Sequence, residues 1–225
     1  MSQPFNIHLP LEVAYKRDVL FALELLDAVT LTRVSQDVTV KADGLNGKPI
    51  VNASGFFVWL KEQPGTVNEI SIDPGVLPYE SVTVPASQVT LPLTTVELQP
   101  RVSYPFAAGI TGLRGTMIEA VAVLPDSPTP VGDAEVYLRW LDENGIWRDS
   151  PTKSKTDKKR GDFVSILRLA PTEKPDLQGS AVTVRLRVIR NGNERGSTDF
   201  QLQQGRITDP TTLNPLTFAW DDLLP

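Results

Sequence analysis

The clearest pattern in the chain is an alternation of apolar and polar residues in its C-terminal half. Between residues 182 and 189 every second side chain is apolar: Val182, Val184, Leu186 and Val188. Thr183, Arg185 and Arg187 stand between them. Because successive side chains of a strand point to opposite faces, this pattern predicts a strand with one face in a core and the other in water. The segment 135–141 alternates in the same way.

Short segments of this kind recur at the spacing typical of a β-sandwich, separated by Gly, Pro, Asn and Asp. Strands are predicted over 21–26, 29–34, 38–42, 56–60, 69–72, 79–84 and 89–98, and then over 114–123, 134–141, 163–169, 182–189 and 197–201. A helix over 13–26 is the alternative at the start, because Ala, Leu, Glu and Lys favour helices. The Val-Thr-Leu-Thr-Arg-Val run that follows favours the strand.

The segment 100–106 contains two prolines, which restrict the chain to extended conformations and predict a short, stiff connection. We therefore expect an all-β protein of two tandem Greek-key β-sandwich domains, transthyretin-like or immunoglobulin-like, joined by this linker. The expected limits are an N-terminal arm over 1–20, sandwiches over 21–99 and 107–208, and a C-terminal tail over 209–225.

A short internal repeat connects the two sandwiches. Each contains a proline followed by an aliphatic residue, at Pro49 and at Pro130. Further along, each contains a glycine and then Phe-Val, at 55–58 and at 161–164. The repeat predicts that the same kind of turn opens a strand in both halves.

Gly115 is expected to open a strand. The run Pro-Thr-Pro-Val-Gly-Asp-Ala-Glu-Val-Tyr-Leu at 128–138 follows it, and Thr156-Asp157 and Gly-Asp-Phe-Val at 161–164 come later. This arrangement resembles the carboxypeptidase regulatory-like, or transthyretin-like (prealbumin-like), β-sandwich family. The first half is similar at 26–30, 38–42 and 55–58 but lacks the Gly-Ala-x-Val strand. The resemblance implies a scaffold of accessory, adhesive or structural modules without a zinc peptidase site. Such a fold does not fix a function.

The composition is that of a soluble globular protein, with 40% hydrophobic and 22% charged residues and a net charge of −5. The negative charge disfavours nucleic acid as the main partner. No apolar run is long enough to insert into a membrane. Cysteine is absent, and the N-terminal sequence lacks a basic segment followed by an apolar one. Both features favour synthesis in the cytoplasm without a signal peptide.

The candidate chemistry is sparse. One histidine, His8, and no cysteine leave little from which to build a transition-metal site or a histidine-based triad, and no Gly-x-Ser-x-Gly sequence is present. We therefore expect no enzymatic activity, no metal and no cofactor. His8 is expected to be an exposed residue of the N-terminal arm.

One basic run stands out, with Lys153, Lys155, Lys158, Lys159 and Arg160. It has two interpretations: a contact for phosphate or an acidic protein surface, and a solvated hairpin loop. No aromatic residue is interleaved with it, which favours the loop.

Apolar residues near both termini are candidates for an interaction with another chain. They are Phe5, Ile7 and Leu9 in the N-terminal arm and Phe218, Trp220, Leu223 and Leu224 in the tail. Such side chains are costly to leave in water, so they either pack within the chain or dock on another subunit.

These features favour a structural or interaction protein with protein partners or self-association, such as a component of a phage-tail-like particle or another large assembly. An adhesive module that binds carbohydrate or peptide at its loops is the second hypothesis. The third is an accessory domain of a hydrolase.

Overall fold

The computed structural model describes residues 18–61, 65–120, 128–211 and 216–225. Within these ranges the chain is all-β, with no α-helix and two 3-10 turns at Ala86–Gln88 and Trp220–Asp222. The first strands are β1 (Val19–Asp27), β2 (Thr39–Leu45), β3 (Ile50–Val51), β4 (Phe57–Leu60), β5 (Gly65–Asp73), β6 (Val82–Pro85) and β7 (Leu93–Leu98). They are followed by β8 (Thr111–Ile118), β9 (Glu135–Leu141), β10 (Trp147–Lys155), β11 (Asp162–Leu167), β12 (Leu177–Gln178), β13 (Ala181–Arg190), β14 (Asn193–Gly196), β15 (Phe200–Gln203), β16 (Ile207–Thr208) and β17 (Thr217–Ala219).

Residues 18–106, called the first half here, form two sheets with a shared core. One sheet has the order β3-β4-β1-β7, in which β1 is antiparallel to β4 and parallel to β7. The other has the order β2-β5-β6 and is antiparallel throughout. Both sheets contribute to one apolar cluster, which includes Phe21, Leu23, Leu25, Val40, Phe57, Trp59, Ile70, Ile72 and Leu98. The arrangement is sandwich-like.

Residues 107–225, the second half, repeat this pairing. β8 is antiparallel to β11 and parallel to β16 and β17. In the facing sheet, β13 is antiparallel to β9 and β15, with β10 beyond β9, while β12 and β14 also pair with β13. The core between these sheets includes Leu113, Met117, Val136, Leu138, Trp140, Phe163, Val182, Val184, Leu186 and Val188.

The alternating segment around residue 185 is confirmed as a central strand. Its four apolar residues are fully buried, whereas Arg185 and Arg187 are partly exposed on the other face. Thr183 differs from the expected pattern because it is buried and accepts a hydrogen bond from the Gln201 side chain at 2.9 Å.

The predicted strand over 29–34 is wrong, because Asp27 turns the chain there. The Asp27 Oδ1 atom accepts hydrogen bonds from the main-chain N–H groups of Val29, at 2.6 Å, and Thr30, at 3.2 Å. The N–H of Leu31 donates to the Asp27 carbonyl at 2.8 Å. Leu31 takes a left-handed conformation with φ of +58°. A local side-chain acceptor therefore outweighs the strand preference of the Val-Thr-Leu-Thr run.

The helical alternative for 13–26 is wrong over its described part, since Val19–Asp27 is a strand. Residues 13–17 lie outside the described ranges. β10 was missed because its buried residues are not apolar. They are Ser150, Thr152 and Ser154, whose hydroxyl groups donate hydrogen bonds to carbonyl oxygens of Ile166 and Val136.

The structure places the glycine-Phe-Val part of the internal repeat at equivalent positions. Phe57 and Phe163 are buried near the start of β4 and β11, and each of these strands pairs with the first strand of its half. Phe57 lies opposite Leu23, and Phe163 lies opposite Gly115. The proline-aliphatic part is not equivalent, because Ile50 belongs to β3 while Val131 precedes β9. Gly115 itself lies inside β8 rather than at its beginning.

Candidate functional site

The contacts between the two halves form the most specific polar arrangement in the described chain, and we call them the junction. Arg168, just after β11, donates to both carboxylate oxygens of Glu97 in β7, with Nη1 at 2.8 Å from Oε2 and Nη2 at 3.1 Å from Oε1. Its Nη1 also donates to the Ala28 carbonyl at 2.9 Å. A planar guanidinium that grips a carboxylate at two points fixes orientation as well as distance.

Arg114, in β8, holds the segment that leads into the second half. Its Nε donates to the Val102 carbonyl and its Nη2 to the Tyr104 carbonyl, both at 3.0 Å. Its Nη1 is 2.6 Å from Oδ1 of Asp209. The guanidinium also lies 5.2 Å from the centre of the Phe106 ring. The predicted linker over 100–106 is therefore pinned to the strand that follows it.

The other side of this segment is anchored in the first half. Tyr104 is buried and donates a hydrogen bond from its hydroxyl to Oδ2 of Asp27. Tyr79 donates to the same oxygen at 3.0 Å. Asp27 is 4% exposed, so one buried carboxylate joins the Asp27 turn, the loop around Tyr79 and the 100–106 segment.

Burial, together with the neighbouring Asp27 carboxylate, raises the pKa of both phenols, that of Tyr79 to about 12. Both tyrosines therefore stay protonated at neutral pH and act as hydrogen-bond donors. Because the Asp27 oxygens already accept hydrogen bonds from both phenols and from the main chain, the cluster serves as a structural anchor.

The basic run is divided between β10 and the turn before β11. Lys153 is 2.8 Å from Glu135, and its main-chain N–H donates to the Gln99 side chain at 3.2 Å, so it belongs to the edge of the junction. The remaining cations, together with Arg101, line a groove of about 630 Å³ between this turn and the first half.

The charges of this groove are nearly balanced. Its five cations are Arg101, Lys155, Lys158, Lys159 and Arg160, and its four acidic residues are Glu80, Asp133, Asp157 and Asp162. Lys158 is 3.3 Å from Asp133, and Arg160 is 2.9 Å from Asp162. This pairing favours the solvated turn over a phosphate site. Burial raises the pKa of Glu80, which lines the same groove.

The C-terminal candidates are mostly covered by their own chain. Trp220 and Leu223 are buried in the second core, and Phe218 packs against it, with its ring centre 5.9 Å from that of Phe163. Leu224 is 56% exposed, although its main chain pairs with Gly196. The N-terminal candidates Phe5, Ile7 and Leu9, and also His8, lie outside the described residues.

A second groove, of about 430 Å³, opens between β15 and β17. Phe200 and Phe218 line it, with ring centres 6.0 Å apart, and its polar lining residues include Thr198, Gln201 and Asp222. Across the described ranges we find no cluster of His, Cys, Asp and Glu that could hold a metal ion. In the same ranges no helix is long and apolar enough to cross a membrane.

No model of a known protein family matches this chain, and neither a curated protein nor a solved structure matches it. The resemblance to carboxypeptidase regulatory-like domains therefore stays a prediction from the motifs.

Sequence reasoning missed the junction residues. Arg168 and Arg114 carry no local signal, because their carboxylate partners Glu97 and Asp209 lie 71 and 95 residues away along the chain. Asp27 did carry a local signal, since a carboxylate at the end of an apolar strand must find hydrogen-bond partners if that end is buried. Tyr104, between two prolines of a predicted linker, was the available donor.

Proposed function

We propose that this protein is a non-catalytic structural and interaction protein, made in the cytoplasm and built into a large assembly such as a phage-tail-like particle. In this proposal its two halves are tandem Greek-key β-sandwich domains of the transthyretin-like or immunoglobulin-like kind, with the limits expected from the sequence. Its partners are proteins or further copies of itself rather than nucleic acid, and it needs no cofactor.

The observation that carries this proposal is the junction. Independent binding modules are commonly joined by mobile linkers, and their relative motion is the usual expectation. Here two arginines bind two carboxylates and three main-chain carbonyls across or beside the connection, and a buried phenol anchors the connecting segment. A fixed angle between two sandwiches suits a part that must hold a constant shape in an assembly.

The first test removes the junction arginines. In the double variant Arg114→Ala and Arg168→Ala we expect the two halves to move independently, seen as different alignment tensors for each half in residual dipolar couplings. Arg139→Ala is the matched control, because Arg139 pairs with Asp149 at 2.8 Å within the second half. Independent motion already in the unmodified protein would refute the rigid-spacer proposal.

The second test concerns assembly. Particles from the source cells are separated by sedimentation, and an antibody against this chain is used to find it. We expect the chain in a fraction of very high mass. Its recovery only as a free monomer would refute the assembly part of the proposal.

The groove between β15 and β17 favours peptide binding as a second candidate function. Its paired aromatic rings and its polar lining residues match the combination of apolar lining and polar groups that is common in ligand sites. Chemical-shift changes at Phe200 and Phe218 on titration with a degenerate hydrophobic peptide library are the expected result. Shifts spread evenly over the surface would argue against it.

A further inference from the structure

The outer face of the β3-β4-β1-β7 sheet carries a row of aliphatic side chains that crosses all four strands. Ile50 lies opposite Val58, Val58 opposite Ala22, and Ala22 opposite Leu93. The apolar cluster between the two sheets does not include these four; its residues on the same strands are Phe21, Leu23, Leu25, Phe57, Trp59 and Leu98. Val58, in the middle of the row, is only 8% exposed, and Ala22 is partly buried. Ile50 is 47% exposed and Leu93 is 40% exposed. Val19, at the start of β1, is 45% exposed. We call these five residues the aliphatic face.

The next part of the same surface is polar and already covered. Arg33 donates from Nε to Glu24 at 3.0 Å and lies 4.1 Å from the centre of the Phe56 ring. Thr95 donates to the other oxygen of Glu24 at 3.0 Å. The aliphatic face therefore ends at this cluster on one side and reaches the beginning of β1 on the other.

The second half contains a position equivalent to that of Ala22. In the first half, the pair of Val58 and Ala22 is next to the pair of Phe57 and Leu23. In the second half, the pair of Val164 and Arg114 is next to the pair of Phe163 and Gly115. Ala22 and Arg114 are thus equivalent.

Arg114 binds the carbonyl oxygens of Val102 and Tyr104, which belong to the segment leading into the first strand of its half. In the second half, the polar residue on the outer face holds the incoming chain by its main chain. An aliphatic face would instead hold an incoming chain by apolar side chains.

From this correspondence we infer that the N-terminal segment of the same chain folds back and covers the aliphatic face in an extended conformation. Residues 1–17 lead into β1 as the 100–106 segment leads into β8. Their apolar residues alternate with period two: Phe5, Ile7, Leu9 and Leu11. An extended segment with this pattern presents one apolar side to a sheet.

Chain length and the prolines agree with docking on the face in preference to insertion between strands. The residues between Leu11 and Val19 span up to roughly 25 Å when extended, at about 3.3 Å per residue, which is enough to reverse direction and reach Ala22. Pro4 and Pro10 lack the N–H group that a central strand must donate. Both sides of β1 are in any case occupied by β4 and β7.

A cysteine-scanning experiment on the full chain tests this inference, helped by the absence of native cysteine. Ile50→Cys is combined in turn with Ile7→Cys, Leu9→Cys and Leu11→Cys, and separately with Asn6→Cys and His8→Cys. Under mild oxidation we expect intramolecular disulfides from the odd-numbered positions. They should form at least about tenfold faster than those from the even-numbered ones, because the docked side chains are held at high effective concentration.

Leu177→Cys replaces Ile50→Cys in the matched control, because Leu177 is similarly exposed, at 45%, but lies in the second half. Equal rates for odd and even positions, or for Ile50→Cys and Leu177→Cys, would overturn the inference. Disulfide-linked dimers in place of intramolecular products would also overturn it and would assign the face to the segment of a second copy.

Trypsin provides an independent readout at Lys16 and Arg17, which lie between the docking segment and β1. The double variant Ile50→Asp and Leu93→Asp should be cleaved there at least about fivefold faster than the unmodified chain, because apolar docking would be lost. Leu177→Asp should leave the rate unchanged. Equal cleavage of the face variant and the unmodified chain would contradict the inference. These outcomes do not depend on whether the protein joins a larger assembly.

Discussion

The outer faces of two equivalent sheets, one in each half, differ at one pair of positions. Ala22 in β1 and Arg114 in β8 occupy the same place beside a Phe-containing neighbour strand. The arginine organises the junction between the halves, while the alanine belongs to the aliphatic face. The comparison teaches that two sheets with similar inward-facing residues can differ at single outward-facing residues, and that these residues determine what each sheet contacts.

The cores beneath these faces should lose similar stability when an equivalent buried side chain is removed. This prediction has the largest expected effect. Phe57→Ala and Phe163→Ala each remove a buried ring, 3% and 0% exposed, from the same place in the two cores. We expect each to lower the free energy of unfolding by about 3–5 kcal/mol, measured by denaturant titration. Phe56→Ala is the control and should cost about 1 kcal/mol, since Phe56 lies on the outer face under Arg33. A large cost at only one of the two core positions would contradict the equivalence.

The equivalent core positions were the part that the sequence revealed most clearly. Phe57 and Phe163 follow a glycine turn, and the buried residues of β13 alternate with charged ones, so periodicity identifies both cores. β10 is not predicted from the sequence, because its buried residues Ser150, Thr152 and Ser154 are polar. Their hydroxyl groups are hydrogen-bonded, and a hydropathy pattern does not show such bonds. The pairing of Arg168 with Glu97 is a long-range contact between ordinary surface residue types, so no local signal marks it.

The turns before β4 and β11 should differ in their tolerance of a side chain, because their glycines have different surroundings. Gly55 and Gly161 have φ of +81° and +73°, where a side chain is strained. A Cβ atom on Gly161 would lie 2.1 Å from the Met117 carbonyl oxygen, whereas one on Gly55 would meet the flexible Arg33 side chain at 2.9 Å. We expect Gly161→Ala to cost about 3 kcal/mol and Gly55→Ala about 1 kcal/mol in thermal unfolding. Equal losses of stability would show that the turn before β11 accommodates a side chain more easily than its contacts indicate.

The Asp27 cluster has no counterpart that we identify in the second half as described, and it should make the first half sensitive to alkali. Tyr104→Phe removes a hydrogen bond to a buried carboxylate and should cost about 1.5–3 kcal/mol at neutral pH. Since folding raises the pKa of Tyr79 to about 12 and raises that of Tyr104 as well, the folded state holds protons that the unfolded state has released. The stability from these phenols is therefore complete below pH 10 and is lost as pH rises from about 10 towards 12 and above.

Denaturant titrations between pH 8 and 12 would measure this loss. The unmodified protein should lose stability more steeply above pH 10 than Tyr104→Phe does, so the two curves should converge. Parallel curves would show that the Tyr104 hydroxyl does not contribute to the alkaline loss.

The smallest expected effect concerns the Asp27 turn itself. It has the same hydrogen bonds as the turn at Asp157, whose Oδ1 accepts from the N–H groups of Lys159 and Arg160. The fifth residue of each turn is left-handed, but Leu31 stands where the other turn has Gly161. Because Leu31 is 49% exposed, replacing it removes little packing and relieves the strain on its backbone. We expect Leu31→Gly to raise the free energy of unfolding by about 0.5 kcal/mol, since the added freedom of glycine in the unfolded chain offsets part of the gain. Leu31→Ala keeps the strained conformation and should bring no gain, so a rise of equal size in both variants would refute backbone strain as the cause.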